Sequence, residues 1–339
     1  MTRVAVIGAG SWGTSASWLL GGKGHEVRLW SREPEIAAAI DTTHRNPVYM
    51  TDITLPDGVR AFADLEPVLD GAEAVVVVTP SVGVRPSAEA MRPYLAPTVP
   101  VVVLSKGIEE GTLMLMTDVL DDVIGSRERL AALSGPNHAE EVGRGIPSAT
   151  VVASYEEAVG RFFQDLFMTR FFRVYTNQDV VGVELCGASK NVIAVAAGMS
   201  DGVGYGDNTK ATLMTRGLAE MSRLGRAMGA NPLTYMGLAG MGDLIATCTS
   251  KHSRNRSLGE FIGRGGTLRG WSESTKMVAE GAYSCVTVDD LGRRQGVELP
   301  ITREVRAILY EGKPVASGAE TLLGREARDE LHGIGLVED

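Results

Sequence analysis

An α/β N-terminal domain on a doubly wound parallel sheet, followed by an all-α C-terminal domain, is the fold class this chain predicts, on three observations. Short apolar runs alternate with helical segments through the first 180 or so residues. A glycine-rich turn lies between the first apolar run and a helix. From about Val180 the strand-like runs give way to long segments rich in Ala, Gly, Leu and Met. The domains are accordingly placed at residues 1–180 and 181–339.

The first run, Val4 to Ile7, enters Gly8-Ala9-Gly10-Ser11-Trp12-Gly13, and Thr14 to Leu20 follows with helical composition. A GxGxxG turn between strand and helix lets backbone N–H groups approach a pyrophosphate at the helix N-terminus, so Gly8, Gly10, Ser11 and Gly13 are candidate dinucleotide contacts in a Rossmann-like domain. The competing reading makes them only a strand–helix turn. Glu26 to Trp30 is the next strand and Pro34 to Ile40 a helix, followed by a polar loop through His44, Asn46 and Tyr49. The nearly uniform apolar runs Ala74–Thr79, Val99–Ser105, Leu130–Ser134 and Ala149–Ala153 suit strands buried on both faces. Ligands of such sheets gather beyond the carboxyl ends of the strands. Here those ends are Gly8, Ser31-Arg32, Thr79-Pro80-Ser81, Ser105-Lys106-Gly107 and Ser134-Gly135-Pro136-Asn137. An NAD-selective fold commonly has an acidic residue after its second strand. Ser31 and Arg32 stand there instead, so Arg32 is expected to pair with a 2′-phosphate, with NADPH used well and NADH tolerated because Glu33 is adjacent.

In the second half, Val181 to Met199 reads as one helix and Thr209 to Met228 as another, with Asp207-Asn208 as caps and Gly229 as the stop. Asn231-Pro232 has the form of a cap followed by proline at the first helical position. Gly265-Gly266 marks a loop, and helices are expected to resume at Ser274 and Thr302.

Composition narrows the functional classes. The chain has 339 residues, 44% of them hydrophobic, and no apolar run nears the roughly 20 residues of a membrane span. It passes directly from Met1-Thr2-Arg3 into the first strand, which points to the cytoplasm. A net charge of −9 disfavours nucleic acid, so any bound anion needs a local basic cluster. Cys186, Cys248 and Cys285 fit neither a disulfide framework nor a CxxC site and read as reduced thiols. The histidines have no metal-ligand spacing, and no metal is expected.

Lys190 lies mid-helix on a face with Val183, Gly187, Ala194 and Ala197. Either it packs its stem and snorkels, or it is a desolvated ammonium whose pKa is lowered toward acid–base use. Asn191 beside it would orient substrate or cofactor. Lys106 follows a strand and precedes Gly107, at the crevice or simply on the surface. Asp243 is either a helix N-cap or a catalytic carboxylate. Ser250 to Arg256 gathers hydroxyl, amide and guanidinium donors suited to a phosphate monoester, or forms a solvated basic turn.

With these segments in view, the chain resembles the bacterial NAD(P)-dependent sn-glycerol-3-phosphate dehydrogenase family from Arg3 to about Arg325. The resemblance rests on Gly8 to Thr14, Ser105-Lys106-Gly107-Ile108-Glu109, Ser134-Gly135-Pro136, Glu184 to Ala188, Lys190 to Ala194, Gly206 to Ala211, Thr215 to Glu220 and Ser253 to Arg256. It implies that Ser11, Trp12 and Lys106 contact cofactor, with Lys106 also at the substrate. It places Gly135, Asn137 and Ala139 along the substrate and nucleotide pocket. Lys190 becomes the catalytic acid–base, oriented by Asp243. Asp243, Thr247, Ser253, Arg254 and Asn255 fall on the substrate side, Arg254 bridging to cofactor, and Val278 and Glu280 make a distal cofactor contact. Ser189, Asn137-His138 and Val278-Ala279-Glu280-Gly281 depart from the family's commoner residues. The implied reaction reduces dihydroxyacetone phosphate to sn-glycerol 3-phosphate for glycerophospholipid synthesis. A related β-hydroxyacid dehydrogenase and a noncatalytic NAD(P)H sensor stay open, as does a homodimer.

Overall fold

The computed structural model describes residues 1–275 and 278–330. The chain divides into two compact units, one of Met1–Glu109 with Met114–Val180, the other of Glu110–Leu113 with the residues from Val181 onward.

The first unit is built on eight strands: β1 (Arg3–Ile7), β2 (Glu26–Trp30), β3 (Val59–Phe62), β4 (Ala74–Val77), β5 (Val101–Val103), β6 (Leu130–Ser134), β7 (Ser148–Ser154) and β8 (Phe172–Asn177). They form one sheet in the order β3-β2-β1-β4-β5-β6-β7-β8. Its helices are α1 (Ser11–Gly22), α2 (Pro34–Thr43), α3 (Leu65–Leu69), α4 (Val84–Met91), α5 (Met116–Ile124), α6 (Ala139–Val142) and α7 (Glu157–Phe167). Val4, Ala5, Val6 and Ile7 of β1 are all fully buried, as expected of a central strand covered on both faces.

The sheet differs from an all-parallel one at one edge. Ala131–Ser134 of β6 pair antiparallel with Val151–Ser154 of β7, and β8 then runs parallel to β7. The connection between β6 and β7, residues 135–147, carries only the four-residue α6. Two strands carry no run of apolar residues and go unread in the sequence. β3 alternates buried Val59 and Ala61 with exposed Arg60, and β8 alternates buried Phe172 and Val174 with exposed Arg173 and Tyr175. Both are edge strands, where half of each strand faces water.

The second unit contains α8 (Val180–Val203), α9 (Asp207–Ala227), α10 (Asp243–Thr249), α11 (Arg254–Gly263), α12 (Leu268–Ser274), α13 (Glu280–Arg294), α14 (Pro300–Tyr310) and α15 (Val315–Leu323). α8 has the length and hydropathy of a membrane span, contrary to the composition-based expectation, but 94% of its apolar window is buried within the protein. It is a core helix. Glycine is what lets α11 lie so close to it. A Cβ on Gly259 would stand 2.0 Å from the Val195 carbonyl, and one on Gly198 2.0 Å from the Arg256 carbonyl. The α11 start is thereby fixed against the middle of α8.

Some boundaries differ from the sequence reading. Gly206 caps α9, and Asp207 is its first residue. α12 ends at Ser274 where a helix start was expected, and α14 begins at Pro300, a proline in the first turn, before Thr302. Asn231 does act as a cap, its side chain accepting from Leu233 N–H, but for a short 3₁₀ turn.

Candidate active site

In the first unit the glycine turn opens α1, whose N-cap Gly10 supplies no capping side chain. The first-turn N–H groups of Ser11, Trp12 and Gly13 therefore have no acceptor in a preceding turn of the helix, the arrangement that binds anions. The glycines divide the work. A Cβ on Gly13 would lie 1.8 Å from the Gly8 carbonyl, so Gly13 is required by the packing of helix on strand. A Cβ on Gly10 would meet nothing within 4 Å. Space is kept clear beside Gly10, as the approach of a pyrophosphate to backbone requires.

The neighbouring candidates form one hydrogen-bonded set. Trp12 Nε1 donates to the Asn137 carbonyl at 2.7 Å, and its ring meets Phe172 edge-on. The Trp12 side chain is thus committed to packing, leaving its backbone for a ligand. Ser15 Oγ donates to the Ala139 carbonyl at 2.8 Å. Buried Asn137 donates through Nδ2 to Thr150 Oγ1 at 2.9 Å, and Thr150 Oγ1 donates to the Ser134 carbonyl at 2.9 Å. Lys106 Nζ reaches the Gly135 carbonyl at 3.2 Å and Asn137 Oδ1 at 3.4 Å. Gly135 has φ +153 and would press a Cβ to 2.9 Å from Thr150 Cα. Thr150 is a supporting residue absent from the sequence reading, since nothing local ties this strand threonine to Asn137.

Ser31 is buried at the end of β2, while the Arg32 side chain is 83% exposed and pairs with adjacent Glu33, at 3.0 Å. Glu33 Oε2 also lies 3.4 Å from Ser31 Oγ, so hydroxyl, guanidinium and carboxylate share one strand end. An exposed pair of this kind contributes little and is readily exchanged for another partner.

Asn46, seen in the sequence only as part of a polar loop, is fully buried beside the glycine turn. Its Nδ2 donates to the Ala9 carbonyl at 2.8 Å and to Thr14 Oγ1 at 2.9 Å. Its Oδ1 accepts from the N–H groups of Val48 at 3.0 Å and Tyr49 at 2.9 Å.

In the second unit Lys190 is 5% exposed, so it does not snorkel. Its ammonium donates to Asp243 Oδ1 at 2.7 Å and Thr247 Oγ1 at 2.6 Å, and Thr247 Oγ1 donates to Asp243 Oδ1 at 3.1 Å. Asp243 and Thr247 sit one turn apart on α10, which places both oxygens on the face toward Lys190. Asp243 is the first residue of α10 and Gly242 its cap, so the carboxylate is not spent on capping. A charge buried this deeply needs such a partner. Cys248, next on α10, has its thiol pushed up to about 12 by burial and stays protonated. Ser189, buried beside Lys190, has an Oγ with no hydrogen-bond partner among the described residues.

Ser253 caps α11, its Oγ accepting from Arg256 N–H at 3.2 Å, which leaves the hydroxyl proton to donate. Half-buried Arg254 is the first residue of that helix, a second N-terminus suited to an anion. Asn255 Nδ2 donates to Asn191 Oδ1 at 2.8 Å and its Oδ1 accepts from Gly281 N–H at 2.8 Å. Asn255 thus ties α8 to the start of α13, leaving one amide hydrogen for a ligand. Glu280 is the first residue of α13, and Val278, at 36% exposure, lies just before it. Among the described residues no group of three or more His, Cys, Asp or Glu side chains gathers to hold a metal ion.

A doubly wound sheet with a cleared glycine turn, joined to a helical unit with a buried lysine–carboxylate pair, has the form of a two-unit dinucleotide-dependent dehydrogenase. The comparisons with known proteins make that class particular. The model of the NAD-dependent glycerol-3-phosphate dehydrogenase N-terminus matches residues 3–160, and that of its C-terminus matches 179–320. The chain belongs to this family. Glycerol-3-phosphate dehydrogenase [NAD(P)+] of Streptomyces griseus is 49% identical over 97% of this chain and 98% of its own length, and one from Salinibacter ruber is 47% identical over 97% of each. The crystal structure of glycerol-3-phosphate dehydrogenase from Coxiella burnetii matches with TM-score 0.92 and 35% identity over 96% of this chain and 99% of that one.

Proposed function

We propose that the protein catalyses the reversible NAD(P)H-dependent reduction of dihydroxyacetone phosphate at C2 to sn-glycerol 3-phosphate. The observation that carries the chemistry is the Lys190–Asp243–Thr247 cluster, a buried proton donor held by a carboxylate at 2.7 Å. The reduced nicotinamide, when bound, supplies the hydride. Lys190 donates the proton that the C2 oxygen acquires as negative charge develops there, and takes it back in the reverse direction. Asp243 holds the ammonium charged and, with Thr247, sets its direction. Lys106 adds positive potential to the same developing charge.

Arg254 holds the substrate phosphate through its guanidinium, with the Ser253 hydroxyl and the first-turn N–H groups of α11 as neutral donors. Binding energy gathered there, away from the reacting carbon, goes into placing C2. The glycine turn with Ser11, Trp12 and Gly13 takes the cofactor pyrophosphate, Ser31 and Arg32 the ribose end, and Ala139, Val278 and Glu280 further parts of the nucleotide. The three cysteines are all buried, in keeping with a reduced, cytoplasmic setting, where the product serves glycerophospholipid synthesis.

Nicotinamide oxidation followed with dihydroxyacetone phosphate against unphosphorylated dihydroxyacetone tests the assignment. Turnover should require the phosphate. Equal rates with both ketones, or turnover of a 3-hydroxy acid alone, would replace it with the hydroxyacid reading.

A further inference from the structure

The glycine turn has a mechanical weakness that the structure answers with one side chain. Rotation about Ala9 ψ and Gly10 φ turns the peptide plane between them, and glycine offers little resistance to such rotation. That plane is rigid and trans, with its carbonyl and N–H on opposite edges, so whatever holds the Ala9 carbonyl also aims the Gly10 N–H. Asn46 Nδ2 holds it at 2.8 Å. The same amide grips Thr14 Oγ1 on α1, and its Oδ1 is locked by two backbone N–H groups of its own loop, so every hydrogen-bonding position of this fully buried side chain is used. Beside the turn lies the cleared space at Gly10.

We propose that Asn46 is a positioning residue for cofactor: by tethering the Ala9 carbonyl it keeps the Gly10 N–H aimed outward, ready for the pyrophosphate. This rests on the reading of the turn as the pyrophosphate site. The tether removes, before binding, conformational freedom that the ligand would otherwise have to freeze.

Asn46→Asp in the full-length protein is the discriminating variant. It keeps an acceptor for Val48 and Tyr49 but turns a carboxylate oxygen toward the Ala9 carbonyl in place of the amide donor. Nicotinamide fluorescence should show the Kd of NADPH and of NADH raised by a similar factor, roughly tenfold or more, with kcat at saturating cofactor within about twofold of wild type. ADP-ribose, which carries the pyrophosphate, should weaken by that same factor, whereas adenosine 2′-monophosphate, which lacks it, should bind unchanged. Equal weakening of both fragments would make Asn46 merely structural and overturn the proposal. Unchanged NADPH affinity in the variant would overturn it while sparing the cofactor site, whereas failure of the wild-type chain to bind NADPH would overturn both. If the variant does not fold, hydrogen exchange on the wild-type chain decides. The Gly10 amide should exchange readily in the free protein and be protected by ADP-ribose, and protection that is high in both states, or absent in both, refutes the outward aim.

Discussion

The surroundings of Lys106 and Lys190 show two ways to put an ammonium to work. Lys106 stands past the end of β5 on a half-buried loop, with the Gly135 carbonyl and Asn137 Oδ1 as neutral partners at 3.2 and 3.4 Å. Lys190 lies in the middle of a buried helix against a carboxylate at 2.7 Å. The first keeps contact with water and needs only orientation. The second has lost its hydration and depends on Asp243 to stay charged. In the proposed reaction the first would supply positive potential and the second a directed proton, and the consequences of removing them should differ accordingly.

The largest effect is expected from Lys190→Met, with kcat reduced on the order of 10²–10⁴. Because Asp243 is left buried without its partner, stability should fall as well, by about 3–5 kcal/mol. Adding Asp243→Asn should restore the Tm but not turnover. Recovery of both together would erase the catalytic side of the contrast.

A second buried carboxylate sharpens it. Glu220 of α9 accepts from the N–H groups of Ile301 and Thr302 at the start of α14, and burial raises its pKa to about 7. Since the unfolded value is near 4.5, the folded chain holds the extra proton between those limits. Its contribution to stability is therefore complete below about pH 4.5 and is lost as pH rises through about 7, amounting to about 3 kcal/mol at most. In Glu220→Gln this component disappears, which Tm profiles from pH 4.5 to 8 would reveal. Parallel profiles for the two proteins would mean that Glu220 is ionised throughout.

Arg254→Ala should cost roughly 1.5–3 kcal/mol in kcat/KM for dihydroxyacetone phosphate and much less for dihydroxyacetone. Losses of equal size would return the start of α11 to the role of a polar turn. Lys106→Met, whose neutral partners lose little, should leave the Tm near wild type and lower kcat/KM by on the order of tenfold. A large fall in Tm would show that the two lysines are alike after all. The smallest change belongs to exposed Arg32. Its removal should raise the KM for NADPH on the order of five- to tenfold, leave NADH nearly unaffected, and matter less at high salt.

The glycine turn, the interior strands and the mid-helix lysine were legible because each is a local pattern: an apolar run, a turn residue, a helical spacing. The edge strands β3 and β8 were not, for their alternation of buried and exposed residues over only four and six positions is weak beside the uniform runs of the interior. The reversed β7 was equally hidden, since a strand's direction depends on where its connection leads.

Residue type and order alone determined that a glycine turn between strand and helix would form at Gly8 to Gly13 and that Lys190 would fall on a face of small residues, because steric freedom and helical period are properties of neighbours in the chain. Tertiary structure decided which partners those groups received. Asp243 turned from a plausible helix cap into the counter-ion of Lys190 across 53 positions, and Asn46 reached back 37 positions to hold Ala9. Such pairings arise where packing excludes water and an unpartnered buried polar group is costly, and distance along the chain carries no record of which partner is found.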